Sequence, residues 1–587
     1  MTRNLITTIG LIVFTTLTSL GQTNYYVSPT GSNSNTGMSP AQAWQTINFA
    51  AQNTTIQPGD TVQIMQGTYN EQVNITISGD GIGGIPYFIT FKNYNNDNVI
   101  LSGSTLPAYG HLMKMNGVHH LIISGLKFQD YQQQDAIGIK IKDCLHIQIE
   151  NNEFYNIDYA PNAVGQIPSE NDNSQPIIVF GTNPDNAYPT QGIKIIGNSV
   201  HDCETGYSEA ISINGHVDGF EIAQNHVYNN SNIGIVAIGF EGECSNPAND
   251  QAINGHIHHN LVHDNPSAYA ECGGIYIDGA AQMVVENNTL YNNNYGIEIG
   301  CENNGGISGA NANNNIIRNN LIYNNTYTGI AIGGYDYPTS GFVEYTIISN
   351  NTMYNNDTGN NYTGEMVISY TKNSIIQNNI FYATNSNKVL FYSDNQGTEM
   401  QVNYNLFYTL SGSNDIVIEW NGTEYNSFVS YQNGTSMDAN SIFSDPLFVD
   451  SSTVNPNLHL ISNSPAIEAG SPDLSYIINS VDMDEEDRIN SNFVDIGTDE
   501  YYATTSVVDI YASNTIKCFP NPTNGIVNFE TNGQIISEII LTDISGKQVA
   551  IEKITNNKLD LSNVPKGIYV ARIKTNERSF ISRIIKF

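Results

Sequence analysis

One short pattern returns nine times through the middle of this chain and decides what the chain can become. It runs from an apolar residue through two variable residues to Asn, then one variable residue, an apolar residue, and an aromatic residue or His. The copies are IENNEFY, IIGNSVH, IAQNHVY, IHHNLVH, VENNTLY, IRNNLIY, ISNNTMY, IQNNIFY and VNYNLFY. Their shared residues are Asn152, Asn198, Asn225, Asn260, Asn288, Asn320, Asn351, Asn379 and Asn405, at steps of 46, 27, 35, 28, 32, 31, 28 and 26 residues. A fixed local pattern at variable steps describes a solenoid whose coils carry loop insertions.

Local preference selects the kind of solenoid. Each copy alternates apolar and polar residues over short runs rich in Ile, Val and Tyr, which is strand periodicity. A helical repeat needs long runs of period 3.6, and the copies contain none. Asn tolerates left-handed backbone and bonds its own backbone, so a fixed Asn marks a turn. Stacked ~4.8 Å apart, such side chains can form a ladder of hydrogen bonds. The expected fold is all-β: a right-handed parallel β-helix, followed by a small C-terminal β-sandwich. A second strand accompanies each ladder segment, as in GIKIK at 138–142, AISIN at 210–214, IGIVAIG at 233–239, GIYID at 274–278, GIEIG at 296–300 and GIAIG at 329–333. Its isoleucines face inward, so the residues between them face out on one side of the solenoid.

The ends of the chain differ from its middle. MTRNLITTIGLIVFTTLTSLGQ carries one Arg before an apolar run and small residues at Ser19 and Gly21, so residues 1–21 read as a secretory signal peptide. TINFAAQ reads as a short amphipathic helix that caps the first coil. The segment from Tyr25 to Ile75, with PGDTV and GTYNEQV, resembles the opening of the pectate-lyase-like superfamily of right-handed β-helix proteins. DPLFVD, NLHLISNSPAIEAGSPD and DIGTDEY resemble that superfamily's closing segment. The resemblance covers about residues 25–501 and implies a secreted carbohydrate-active protein. After a linker at 501–513, residues 514–587 hold ten of the 21 Lys and Arg. PNPTNG, DISGKQV and LSNVPKGIYVARI resemble the C-terminal sorting domain of type IX secretion in Bacteroidetes. This implies export across the outer membrane, to the cell surface or the medium, with the secretion machinery as a partner. Six cysteines, at 144, 203, 244, 272, 301 and 518, leave open both disulfides between coils and isolated core thiols.

The outward positions carry the candidate chemistry. Lys140, Ser212, Tyr276, Glu298 and Ala331 share one rank, and Lys142, Asn214, Asp278, Gly300 and Gly333 the next. Asp278 and Glu298 therefore project from consecutive coils, with Cβ atoms roughly 8 Å apart. That allows the carboxyl separations used by glycosidases. The pair also resembles an arrangement in a family of β-helix β-xylosidases, which implies Asp278 as nucleophile and Glu298 as acid/base. Glu209, Asn214, His216, Glu241, Tyr276 and Glu302 are the expected substrate-binding residues. No Lys or Arg occurs between Ile195 and Ile317, which disfavours a lyase that relies on basic side chains there. Glycan hydrolysis is the leading expectation. A lyase of pectate- or alginate-like uronic-acid glycans and a non-catalytic glycan-binding surface protein are the alternatives. No cofactor is required, and calcium is considered, in DMDEEDR at 482–488 among other places. In HIHHN, alternation assigns His256 and His258 to one side and His259 to the other. A net charge of -35 disfavours nucleic acid and anionic membrane as partners. After the signal peptide no segment is apolar enough to span a membrane, and the expected oligomeric state is monomeric.

Overall fold

The computed structural model describes residues 22–502, apart from 82–83, 335, 385–388, 394–396, 411, 415, 478–479 and 490–492, and most of residues 517–586. The signal-peptide segment and most of the expected linker lie outside the described residues. Among the described residues, three parallel sheets of 13 strands each run along the first unit, which ends at Tyr502. Each coil gives one strand to each sheet, so the architecture is the expected parallel β-helix. Inward Ile, Val, Leu and Phe from all three sheets form one continuous core. Cys144, Cys203, Cys244, Cys272 and Cys301 are buried in no disulfide, which decides between the two readings of the cysteines.

The asparagine ladder is present at every expected position. From Asn152 to Asn405, each side-chain Nδ2 donates to Oδ1 of the next ladder Asn, at 2.9–3.2 Å. The same Oδ1 also accepts the backbone N–H of the preceding ladder Asn, at 2.9–3.1 Å. The residue before each Asn has positive φ, as at Asn151, Gln224, His259, Asn287, Asn319 and Tyr404. This left-handed residue turns the chain, and the Asn behind it satisfies backbone groups that the turn leaves unpaired.

Five residues downstream a second ladder, unforeseen in the sequence, runs through Asn230, Asn265, Asn293, Asn325 and Asn356. Each of its members also follows a positive-φ residue. Both ladders end on an acid. Asn405 Nδ2 donates to Asp438 Oδ1 at 3.1 Å, and Asn356 Nδ2 to Glu365 Oε2 at 2.6 Å.

The expected capping helix, α1 (Ile47–Ala51), is present, and the Thr46 hydroxyl accepts the Phe49 N–H at 3.2 Å. HIHHN corrects simple alternation. His259 occupies the left-handed turn position, so its ring comes back to His258, with Nδ1 atoms 2.8 Å apart. The second unit, from Ala503, contains two four-stranded antiparallel sheets with their own core around Val527, Leu541, Leu559 and Ile573.

Candidate active-site cleft

One of the three sheets carries the site. Its relevant strands are β1 (His111–Asn116), β2 (Ala136–Lys142), β3 (Ser174–Gly181), β4 (Glu209–Gly215), β5 (Ile233–Ile238), β6 (Gly273–Asp278), β7 (Tyr295–Gly300) and β8 (Thr328–Ile332). Their register places Lys114, Lys140, Ile178, Ser212, Val236, Tyr276, Glu298 and Ala331 in one outward row. Asp278 pairs with Gly300 one rank on, so Asp278 and Glu298 are offset by one coil and two residues. Strand β3 lies inside the long 46-residue ladder step. Its run PIIVFG could have been read as a face strand, but the surrounding loop sequence hid it.

A cleft of about 470 Å³ opens over β3 to β6. Glu209, Ser212, Asn214, Glu241, Tyr276, Asp278 and Glu302 line it, with Gln175 and Phe180 at its β3 end. Segments 207–209 and 270–272 and the insertion after β5 wall it, the last contributing Glu241 and Glu243. The structure thus brings together Asp278, Glu209, Asn214, Glu241, Tyr276 and Glu302. It leaves out two residues singled out in the sequence. Gly215, at φ 78°, turns the chain off the face before His216. That ring is buried with Nδ1 2.7 Å from the Asn183 carbonyl. Glu298 shares the face but sits beside the cleft, crowded by the Gly273 backbone: a Cβ on Gly273 would stand 3.2 Å from its own Cβ. Its Oε2 is buried without a hydrogen-bond partner, as is Asn214 Oδ1 in the cleft.

The carboxyl groups of the cleft are unequal. Asp278 is 5% exposed, and its Oδ1 accepts the Glu302 N–H at 2.8 Å. Burial, then the Glu302 charge, hold its pKa well above the usual carboxylate range. Glu302 is also raised by burial, but the Tyr276 hydroxyl donates to its Oε1 at 3.2 Å and favours the ionised form. Burial and then Glu302 push Glu298 well up. Burial, with the Glu241 charge adding to it, raises Glu209 to about 7. Glu241 Oε1 accepts a hydrogen bond from Asn303 Nδ2.

Metal-type ligands gather elsewhere. His459 Nε2 lies 3.0 Å from Asp484 Oδ2, and Asp499 completes a group whose ligand atoms fall within 4.8 Å of one another. In DMDEEDR, Asp482 Oδ1 is taken up by the N–H groups of Asp484 and Glu486, so that residue serves its own turn.

Fold and C-terminal unit define the class: an exported parallel β-helix protein carrying a sorting domain. Residues 517–586 match the model for the secretion system C-terminal sorting domain, so the chain is routed by type IX export to the cell surface or the medium. The chain belongs to the family of the uncharacterized protein YwoF of Bacillus subtilis (strain 168). The two are 36% identical over 451 residues, 74% of this chain and 90% of that protein. Residues 217–369, which include β5 to β8, match the model described as disaggregatase related. Among solved structures, similarity extends to the GH136 lacto-N-biosidase from Eubacterium ramulus (10% identity, TM-score 0.44, 72% of this chain and 66% of that one) and pectate lyase Pel9A (15%, 0.42, 82% and 97%). XylC in complex with xylose is similar as well (14%, 0.41, 68% and 86%). Likenesses at this level of superposition bear on neither reaction nor residues. Among the described residues no helix is long and apolar enough to cross a membrane.

Proposed function

We propose that the cleft hydrolyses glycosidic bonds, with Asp278 as proton donor and Glu302 as the carboxylate that activates water or attacks the sugar. One observation carries this reading. Two carboxyls adjoin in one cleft and differ in their surroundings: burial raises both, Asp278 well above the carboxylate range, while the Tyr276 hydroxyl opposes the rise at Glu302. Glycoside hydrolysis uses an acid and a base that flank the scissile bond, roughly 5–9.5 Å apart. Glu298, one of the pair expected from the sequence, becomes a buried neighbour raised by desolvation, then by Glu302 and Asp278. Asn214, Glu209 and Glu241 supply hydrogen bonds to sugar hydroxyls. The reaction needs carboxyls and water, and no cofactor.

A second reading is a lyase. It is favoured by Lys140, whose amine lies near the β3 end of the cleft and is made less basic-bound to its proton by burial, then by Lys114 and Lys142. Digestion of a glycan panel with product analysis separates the readings. Reducing ends without an ultraviolet-absorbing double bond support hydrolysis, an unsaturated product supports the lyase, and no product from any glycan leaves a binding protein.

A further inference from the structure

The chain has 21 Lys and Arg against 56 Asp and Glu, so cations should find partners easily. Among the described residues, Lys127, Lys194, Arg318, Lys372 and Arg488 do pair with carboxylates within 4.0 Å. Three lysines on the cleft face do not. Lys114 on β1 stands in register with Lys140 on β2, and Lys142 follows two residues on, pointing to the same side. Like charges directly opposite on neighbouring strands destabilise a sheet. All three are only half-exposed, so water screens them incompletely. Lys140 Nζ lies 5.0 Å from the centre of the Phe180 ring, and Phe180 lines the end of the cleft. The other titratable groups facing Lys140 are Glu243, from the wall, and Asp135. Neither comes within ion-pair distance. His111, on β1, is pushed down to about 4 by burial, then by Lys114 and Lys140, so it stays neutral and adds no charge.

The row continues into the cleft. Lys142 is in register with Phe180, and Phe180 with Asn214. Four coil steps separate Lys142 from Asp278, roughly 19 Å along the sheet. A glycan of a few sugar units, lying along this face from Asp278, brings its far end to the lysines.

We propose that Lys114, Lys140 and Lys142 form an anion subsite at the far end of the cleft, which takes a carboxylate or sulfate carried by a sugar of the bound glycan. The subsite rests on the reading of the cleft as a glycan site, and it names the substrate class as acidic. It accounts for three half-buried like charges kept without carboxylate partners.

The test measures binding without turnover, using the full mature chain with Asp278→Asn. The probes are immobilised uronate tetrasaccharides, O-sulfated tetrasaccharides and neutral hexose tetrasaccharides of matching linkage. The proposal expects acidic probes to be retained over neutral ones, and retention to weaken steeply with salt. Preference for uronate or for sulfate identifies the anion. Lys140→Met/Lys142→Met should weaken acidic binding by about tenfold or more while leaving neutral binding unchanged. Removing like charges should not unfold the sheet, which a thermal melt checks, and the salt titration of the unsubstituted lysines needs no variant. Equal binding of neutral probes, no binding of any acidic probe, or acidic binding that survives the double substitution overturns the subsite. Hydrolysis is scored separately by product analysis, so either idea can fail alone.

Discussion

Asp278 keeps a proton that an exposed aspartate loses, because it is walled from water and faces Glu302. Loss of that proton donor should be costly: Asp278→Asn and Glu302→Gln should each lower kcat on a cleaved glycan by about a hundredfold or more, with unchanged melting. Glu298→Gln, beside the cleft, should cost less. If Glu298→Gln is the more damaging change, the pair expected from the sequence is the catalytic one. Glu209 gives a stability test. Its pKa rises from 4.5 to about 7 on folding, so the folded protein holds that proton more tightly than the unfolded chain does. Stability from this group is fully present below pH 4.5 and is lost as pH climbs through about 7. Glu209→Gln should therefore flatten the fall in Tm between those values. An unchanged slope would contradict the burial assigned to Glu209.

At the scale of elements, each ladder Asn is a small joint between two coils. Asn320 accepts the backbone N–H of Asn288 and donates to Asn351, fully buried. Asn320→Ala leaves those groups without partners and should cost about 1–3 kcal/mol per orphaned group, read by denaturant unfolding. Because coils touch only their neighbours, hydrogen exchange should quicken near Asn288 and Asn351 and not at Asn198. Much of this was legible in advance. The first ladder, the face strands around Ile277 and Ile299 and the offset of Asp278 from Glu298 all follow from period and alternation. The second ladder was equally written in pairs such as Asn292 and Asn293, but they read as loop composition. Glu302 was legible as a residue of the cleft, but its contact with Asp278 was not, since it lies just past a strand, where the chain's course depends on tertiary packing. His216 misled for the same reason, placed one residue beyond the turning Gly215. The lysines lay at 114, 140 and 142, outside the stretch that sequence distance marks as the site. Coil stacking makes them its neighbours.

For the whole molecule, two units with separate cores imply separable roles. A chain ending at Tyr502, made without passage through the export route, should fold and keep the cleft's binding and turnover. The same truncation in a cell with type IX secretion should abolish appearance at the surface or in the medium. Loss of folding in the truncated chain would show that the sorting domain has a structural duty as well.

The ladders have one more consequence. In every step the amide N–H points toward the later coil, so the side-chain dipoles of each column are aligned head to tail. A stack of this kind has a direction, like an arrow, and its two ends are chemically different. The leading end always presents an N–H in need of an acceptor, and Asp438 and Glu365 close the two columns there with oxygen. An acid in that place is a full stop. The column closed by Asp438 runs on to the last coils, while the one closed by Glu365 stops inside the solenoid, with further coils stacked beyond it.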